Sequence, residues 1–277
     1  MRIGIFLHEV KPSYKLDETI LEIGNEIVGY SSPAALPIPH KNLLHFPSPL
    51  ELAVCCDLLV FYSNHSYFND VPEFALRRGA NIFFANSQDY SHRFLMDIHP
   101  IASEIGAIVG FGNSGYNLFT ERNVSINLHE VFFAHIKRSL STECSFVNLK
   151  EKIIYDLSSV SRTFPVTIKK YKSITLPVFN ENFNLLNLSI EFNNGSVVCY
   201  TADRLSNHPD FSTSLFANSS VLTCNPNENP SPNHNTFSPL DFISCVKNGI
   251  SYEFDIYQAI QTLKLFEEAT KHALQQV

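Results

Sequence analysis

No tryptophan occurs in the 277 residues, glycine is held to 10, and no apolar run approaches the roughly 20 residues that a bilayer span requires. A membrane helix is therefore not expected. The apolar start at 3–7 is also too brief for a secretory signal, so the sequence points to a cytoplasmic chain. Cysteine is sparse: Cys55, Cys56, Cys144, Cys199, Cys224 and Cys245 contain no Cys-x-x-Cys pair, which argues for reduced core thiols and against a disulfide framework or a zinc site. Basic residues cluster no more densely than Lys169, Lys170 and Lys172, and the formal charge is -7, so nucleic acid is not an expected partner. Asn-x-Ser sequons such as the one at 64–66 reflect an asparagine-rich composition, because a chain without a signal does not meet the glycosylation machinery.

What the chain does have is apolar material, 44% of it hydrophobic with 23 phenylalanines, enough for a large core. In the first half, short apolar runs at 2–7, 26–30, 58–62, 81–84 and 107–111 alternate with segments of helical spacing at 67–78 and 90–105. Gly79 and Gly106 stand where those helices would end. This is the pattern of a parallel sheet covered by helices, and it predicts a Rossmann-like domain over 1–115. From 116 to 277 the pattern changes to longer strand-like runs at 126–136, 173–179, 184–192 and 196–202, with Asn194-Gly195 as a two-residue hairpin turn. The stretch 225–239, rich in Asn, Pro and Ser, predicts a surface loop. Asp255 is placed to cap a terminal helix whose Ile256, Ile260, Leu263 and Phe266 form one stripe. The expected fold class is thus α/β, a parallel-sheet domain followed by an α+β domain with an open, mostly antiparallel sheet.

The order from Cys56, CDLLVFYSNHSYFN and then GANIFFANS from Gly79, resembles the middle of the Rossmann domain of the Gfo/Idh/MocA oxidoreductases. The tail DFISCVKNGISYEFDIYQAIQTLKLFEEATKHA is similar to the segment of helix, glycine turn and long helix that closes members of that family. The resemblance implies a nicotinamide cofactor site and an acid–base lysine, and the sequence departs from both. Leu7, His8 and Glu9, followed by Lys11 and Pro12, stand where the family carries its glycine loop; there, glycines let backbone amides approach a pyrophosphate, and a carboxylate at Glu9 would repel it. Ser31 takes the position after the second strand where a carboxylate usually accepts ribose hydroxyls. Asn86 matches the family's catalytic lysine and cannot act as a base. In YDLSSVSRTFPV, Val160 and Thr163 fall where the second domain's histidine and aspartate belong.

Two functions follow as expectations. The first is a catalytically degenerate oxidoreductase-like protein serving as a binding or partner subunit, with no cofactor and no metal. The alternative is an oxidoreductase using NAD or NADP on a sugar-like or other small carbonyl or hydroxyl substrate, with altered catalytic residues. Candidate cleft residues, by their place at the carboxyl ends of strands, are Asn64, His65, Tyr67, Asn86, Ser87, Asn113, Ser114, Tyr116 and Asn117. His65, with His92 nearby, is the group there that titrates near neutral pH. His129 and His135 fall on one strand face and Glu130 on the other, which leaves a metal without a third ligand. Amphipathic strands in the second half suggest a homo-oligomer formed through that sheet, or a hetero-oligomer with another protein.

Overall fold

The computed structural model describes residues 1–9, 26–36, 43–86, 89–112, 130–164, 167–176, 183–218, 220–224, 238–252 and 255–275. The chain forms two compact units, one of 1–114 with 236–260 and one of 115–235 with 261–277.

The first unit is built on six strands, β1 (Ile3–Phe6), β2 (Ile27–Ser31), β3 (Leu44–Phe46), β4 (Leu58–Phe61), β5 (Asn81–Phe84) and β6 (Val109–Phe111). They are all parallel and run in the order β3-β2-β1-β4-β5-β6. Strands β1 and β4 are buried at every position, as a sheet covered on both faces requires. Short helices connect them. Ser48 caps α1 (Pro49–Val54) by accepting from the Glu51 amide, a single 3-10 turn covers Ser66–Phe68, and α2 is Val71–Arg77. Ser91 caps α3 (His92–Ile105), which ends on Gly106 at φ 75°, a left-handed position that glycine takes without strain.

The second unit carries β7 (Val131–Ser141), α4 (Phe146–Thr163), β8 (Ile168–Leu176), β9 (Leu185–Phe192), β10 (Val197–Ser206), β11 (Asp210–Ala217) and β12 (Ser220–Cys224). Their order is β12-β11-β7-β10-β9-β8, antiparallel except where β7 meets β10. The hairpin between β9 and β10 turns at Asn194-Gly195, with Gly195 at φ 86°. One side of this sheet buries Leu186, Leu188, Ile190, Val198, Tyr200 and Ala202. The alternate positions carry Asn187, Ser189, Thr201, Ser212 and Ser214 around a Phe133–Phe216 ring pair. The same side also carries Val197, Cys199 and the exposed Ile174, Leu176 and Val221, so it mixes polar and apolar residues. The buried side accommodates an ion pair: Arg138 donates to Asp156 at 2.5 and 2.6 Å, the Tyr200 hydroxyl donates to the same carboxylate at 2.8 Å, and the guanidinium lies 4.1 Å from the Phe211 ring. Burial alone would lower the Arg138 pKa, but the carboxylate outweighs it and holds the guanidinium charged. Burial and Asp156 together push the Tyr200 hydroxyl well above its ordinary range, so it stays protonated.

The last elements are α5 (Pro239–Asn248), started by a Ser238–Asp241 capping box, and α6 (Ile256–Gln275), where the Asp255 carboxylate accepts from the Gln258 amide. Residues 236–260 belong with the first unit rather than with the second half of the chain. Phe242 and Tyr252 pack there on Phe83, and the Tyr252 hydroxyl donates to the Phe111 carbonyl. Cys55, Cys56, Cys144, Cys199 and Cys245 are free thiols; burial, then the neighbouring Cys55, pushes the Cys56 thiol up to about 12. Among the described residues no helix is long and apolar enough to cross a membrane.

Candidate active site

Strands β1, β4, β5 and β6 all end in phenylalanine. Phe6, Phe61, Phe84 and Phe111 are paired in register. Their rings form a row, 4.6 Å from Phe6 to Phe61, 5.3 Å on to Phe84 and 5.2 Å on to Phe111. All four are at most 1% exposed, and each ring contact adds about 0.5–1.5 kcal/mol beyond area burial. This row is a rigid floor beneath the carboxyl edge of the sheet. In the sequence the signal is a Phe at or next to the end of each of four apolar runs, Phe6, Phe61, Phe84 and Phe111.

The strand order reverses between β1 and β4, and in open parallel sheets the crevice at that reversal is where ligands bind. The chain places His8-Glu9 on one side of it and Ser63-Asn64-His65 on the other. The His8 amide donates to the Ser63 hydroxyl at 3.0 Å, which ties the two loops together. The His8 and His65 rings stack with centroids 5.3 Å apart at 23°. His65 Nδ1 accepts from the Tyr67 amide at 3.2 Å, so in the neutral ring the proton sits on Nε2. His8 Nε2 lies 3.3 Å from the Glu9 carboxylate, an arrangement that puts the ring proton on that nitrogen and leaves Nδ1 as the bare lone pair. Nδ1 is shielded from solvent and has no hydrogen-bond partner among the described residues.

The other candidates divide. Asn64 donates to the Asp89 carbonyl, and the Tyr67 hydroxyl donates to the Pro47 carbonyl. Asn86, half-buried, reaches the Tyr62 carbonyl at 3.5 Å and the Asp89 carboxylate at 3.4 Å, long contacts that anchor its own turn. Ser31 is fully buried and its hydroxyl donates to the Phe46 carbonyl at 2.9 Å, so it is committed inside the sheet and not presented to a ribose. Leu7 is likewise buried, its amide donating to the Ser31 carbonyl at 3.2 Å. Asn113, Ser114, Tyr116 and Asn117 lie outside the described residues, as do Ser87, Lys11, Pro12 and His129. Val160 is 1% exposed inside α4, in the core of the second unit. Among the described residues no three His, Cys, Asp or Glu side chains gather as a metal site. In sequence His8 and Glu9 read only as the loss of a glycine loop; the stacking of His8 on His65 depends on strands adjacent in space and separated in sequence.

A nicotinamide dinucleotide needs donors for its phosphates and ribose hydroxyls. At this crevice the described donor left for an anion is His65 Nε2–H, with Ser63 and Asn64 as neutral polar neighbours; the His8 Nε2 proton is turned to Glu9, whose carboxylate opposes the charge.

No protein-family model matches the sequence, and no curated protein matches it. Solved structures do. UDP-N-acetylglucosamine 3-dehydrogenase GnnA from Acidithiobacillus ferrooxidans superposes with a TM-score of 0.80 at 13% identity, over 99% of each chain. GenD2 from gentamicin A biosynthesis, solved in complex with NAD, gives 0.76 at 9% identity over 99% of this chain and 95% of its own. The dehydrogenase MviM from Clostridium difficile gives 0.73 at 11% identity over 98% and 99%. At such identities the likeness is one of fold, and the chain has the fold of the Gfo/Idh/MocA-type dehydrogenases along nearly its whole length.

Proposed function

We propose that the protein is an NAD(P)-dependent oxidoreductase acting on a small hydroxyl or carbonyl substrate, in which a histidine–glutamate dyad replaces the family's lysine. The observation that carries this reading is the His8–Glu9 pair at the strand reversal, 3.3 Å apart, with His8 Nδ1 sheltered from water and unpartnered among the described residues. An imidazole oriented by a carboxylate through one nitrogen presents the other as a general base, the logic of any base held by a third group. His8 Nδ1, sheltered in this structure, would take the proton from a substrate hydroxyl only after the ring turned toward the substrate, and the Glu9 carboxylate would stabilise the imidazolium that forms. His65, fixed as an Nε2–H donor by the Tyr67 amide, would hold the substrate or cofactor oxygen in place. The dinucleotide, when bound, supplies hydride acceptance or donation. GenD2, which is similar in fold, was solved in complex with NAD, and that supports a nicotinamide cofactor in this reading.

Binding of NADH and NADPH, followed by nicotinamide fluorescence, is the direct test. Micromolar affinity is expected for one of the two, and affinity weaker than millimolar would sink the reading. Once a substrate is found, His8→Gln should lower kcat by about 10²–10⁴-fold, the range for a lost general base.

A second reading keeps the fold without the reaction. Its support is Asn86, which cannot act as a base and contacts only its own surroundings. In that case the protein serves as a binding or partner subunit, and self-association through the second sheet belongs to this reading. A monomer by light scattering would remove that association.

A further inference from the structure

The carboxyl edge of the first sheet also borders a cavity of about 470 Å³ that the proposed reaction does not use. That volume lies within the range of small-molecule sites. Four aromatic residues line it, in two pairs. Phe61 and Phe68 sit edge to face at 6.3 Å, and Tyr90 and Phe94 stack at 5.3 Å and 25°. Both pairs rest on the phenylalanine row, since Phe84 lies 5.3 Å from Phe61 and 4.4 Å from Tyr90. The rings are thus held in place before any ligand arrives. Pro72 completes the apolar lining.

The polar lining is neutral, serine and asparagine, except for the carboxylate of Asp89. No lysine, arginine or histidine is among the described lining residues. Asn64, donating to the Asp89 backbone carbonyl, fixes the segment that carries this carboxylate. Phosphates, carboxylates and sulfates therefore find no counter-charge here. Aromatic faces attract cations through the ring quadrupole, and a carboxylate beside them adds the opposite charge.

We propose that this cavity binds a small organic cation, an alkylated or ring-bearing amine, with the aromatic pairs against its apolar surface and Asp89 near its charge. The cavity shares Ser63 and Asn64 with the crevice at the strand reversal, but the proposal does not depend on the nicotinamide reading.

The test is calorimetric titration of the full chain with three probes of similar size and different charge: benzylammonium, benzyl alcohol and benzoate. The cation should bind about tenfold or more tightly than the alcohol, and benzoate should give no heat. Asp89→Asn, nearly isosteric, should weaken the cation several-fold and leave the alcohol unchanged. Equal affinity for cation and alcohol would overturn the proposal, as would absence of cation binding at millimolar concentration. Retained cation affinity in Asp89→Asn would do the same. The charge series on the unaltered protein stands even if a variant fails to fold. Because these titrations contain no nicotinamide, they and the NADH titration fail independently.

Discussion

The first sheet excludes charge from its core, whereas the second sheet encloses it. Strands β1 and β4 are buried at all four positions and use only aliphatic and aromatic side chains, with Gly4 where Cys56 and Leu52 approach. Strands β9, β10 and β11 alternate, and beneath them Arg138, Asp156 and Tyr200 form a closed polar network. A core held by packing loses stability in proportion to the atoms removed or added. A core containing an ion pair responds differently, because removing one partner leaves the other buried and unmatched, while removing both can cost little.

The largest expected effect follows from that contrast. Asp156→Ala should destabilise the protein by about 3–5 kcal/mol, since Arg138 would keep a charge with no counter-ion. The double variant Arg138→Met with Asp156→Leu should recover most of that loss. In the first sheet, Phe84→Ala should cost a similar ~3–5 kcal/mol with no second substitution able to restore it. Urea unfolding of the four proteins checks the comparison. A loss under about 1 kcal/mol in Asp156→Ala, or no recovery in the double variant, would show that the network does not act as a unit.

How much of this was legible in the sequence differs between the sheets for physical reasons. Doubly covered strands appear as continuous apolar runs, so those at 58–62 and 81–84 were placed within a residue of β4 and β5. Gly106 marked the end of α3 because a left-handed residue closes a helix. In the second unit, β11 and β12 give no clear pattern: in DFSTSLFA the buried side includes Thr213 and the outward side Phe216, so the two faces differ little in apolar character. Helix α4 was missed behind the polar YDLSSVSRT stretch, where Asp156 looks like a solvated residue and is in fact 1% exposed. The carboxyl edge was legible as the place for candidate residues, but their contacts were not. Ser31 looked available and is committed to the Phe46 carbonyl, whereas His8 and Glu9 looked like debris and form the dyad. Only pairing across β1 and β4 brings His8 onto His65, residues far apart along the chain.

A medium effect separates two uses of glycine. A Cβ at Gly110 on β6 would meet the Phe242 ring at 2.5 Å and Tyr252 at 2.7 Å. Gly110→Ala should therefore cost about 1–3 kcal/mol by overpacking, and Phe242→Leu in the same chain should relieve part of it. Gly195 has open space around its Cβ position but sits at φ 86°. Gly195→Ala should cost roughly 1–2 kcal/mol from backbone strain alone, and Gly195→Asn less, because asparagine tolerates the left-handed region. Thermal unfolding ranks the three. If Phe242→Leu does nothing for Gly110→Ala, the first sheet is less tightly packed than its geometry indicates.

The smallest effect is a titration that contrasts one carboxylate from each unit. Glu191 on β9 is bonded by Lys169 and Lys170, each at 2.7 Å, and they hold its carboxyl down to about 2. Asp57 in the first unit is lowered as well, by the side-chain bond from Arg2 and then by the Arg2 backbone amide at 2.8 Å. A folded-state pKa below the unfolded one contributes stability that is present above the ordinary carboxyl value. For Glu191 that contribution is lost as pH falls from the unfolded value, about 4.3, towards 2. The two groups should part company in salt. Flexible surface lysines are screened, so the Glu191 pKa should climb toward the ordinary value as ionic strength rises to about 1 M, where the Debye length is ~3 Å. Asp57 accepts a directional bond from a backbone amide fixed by the sheet, and its pKa should move much less. Carboxyl carbon shifts followed by NMR from pH 7 to 2, at low and high salt, measure both. Equal salt responses would mean that the backbone bond adds nothing to Asp57 beyond the Arg2 charge. A Glu191 that titrates normally at low salt would remove the double lysine contact.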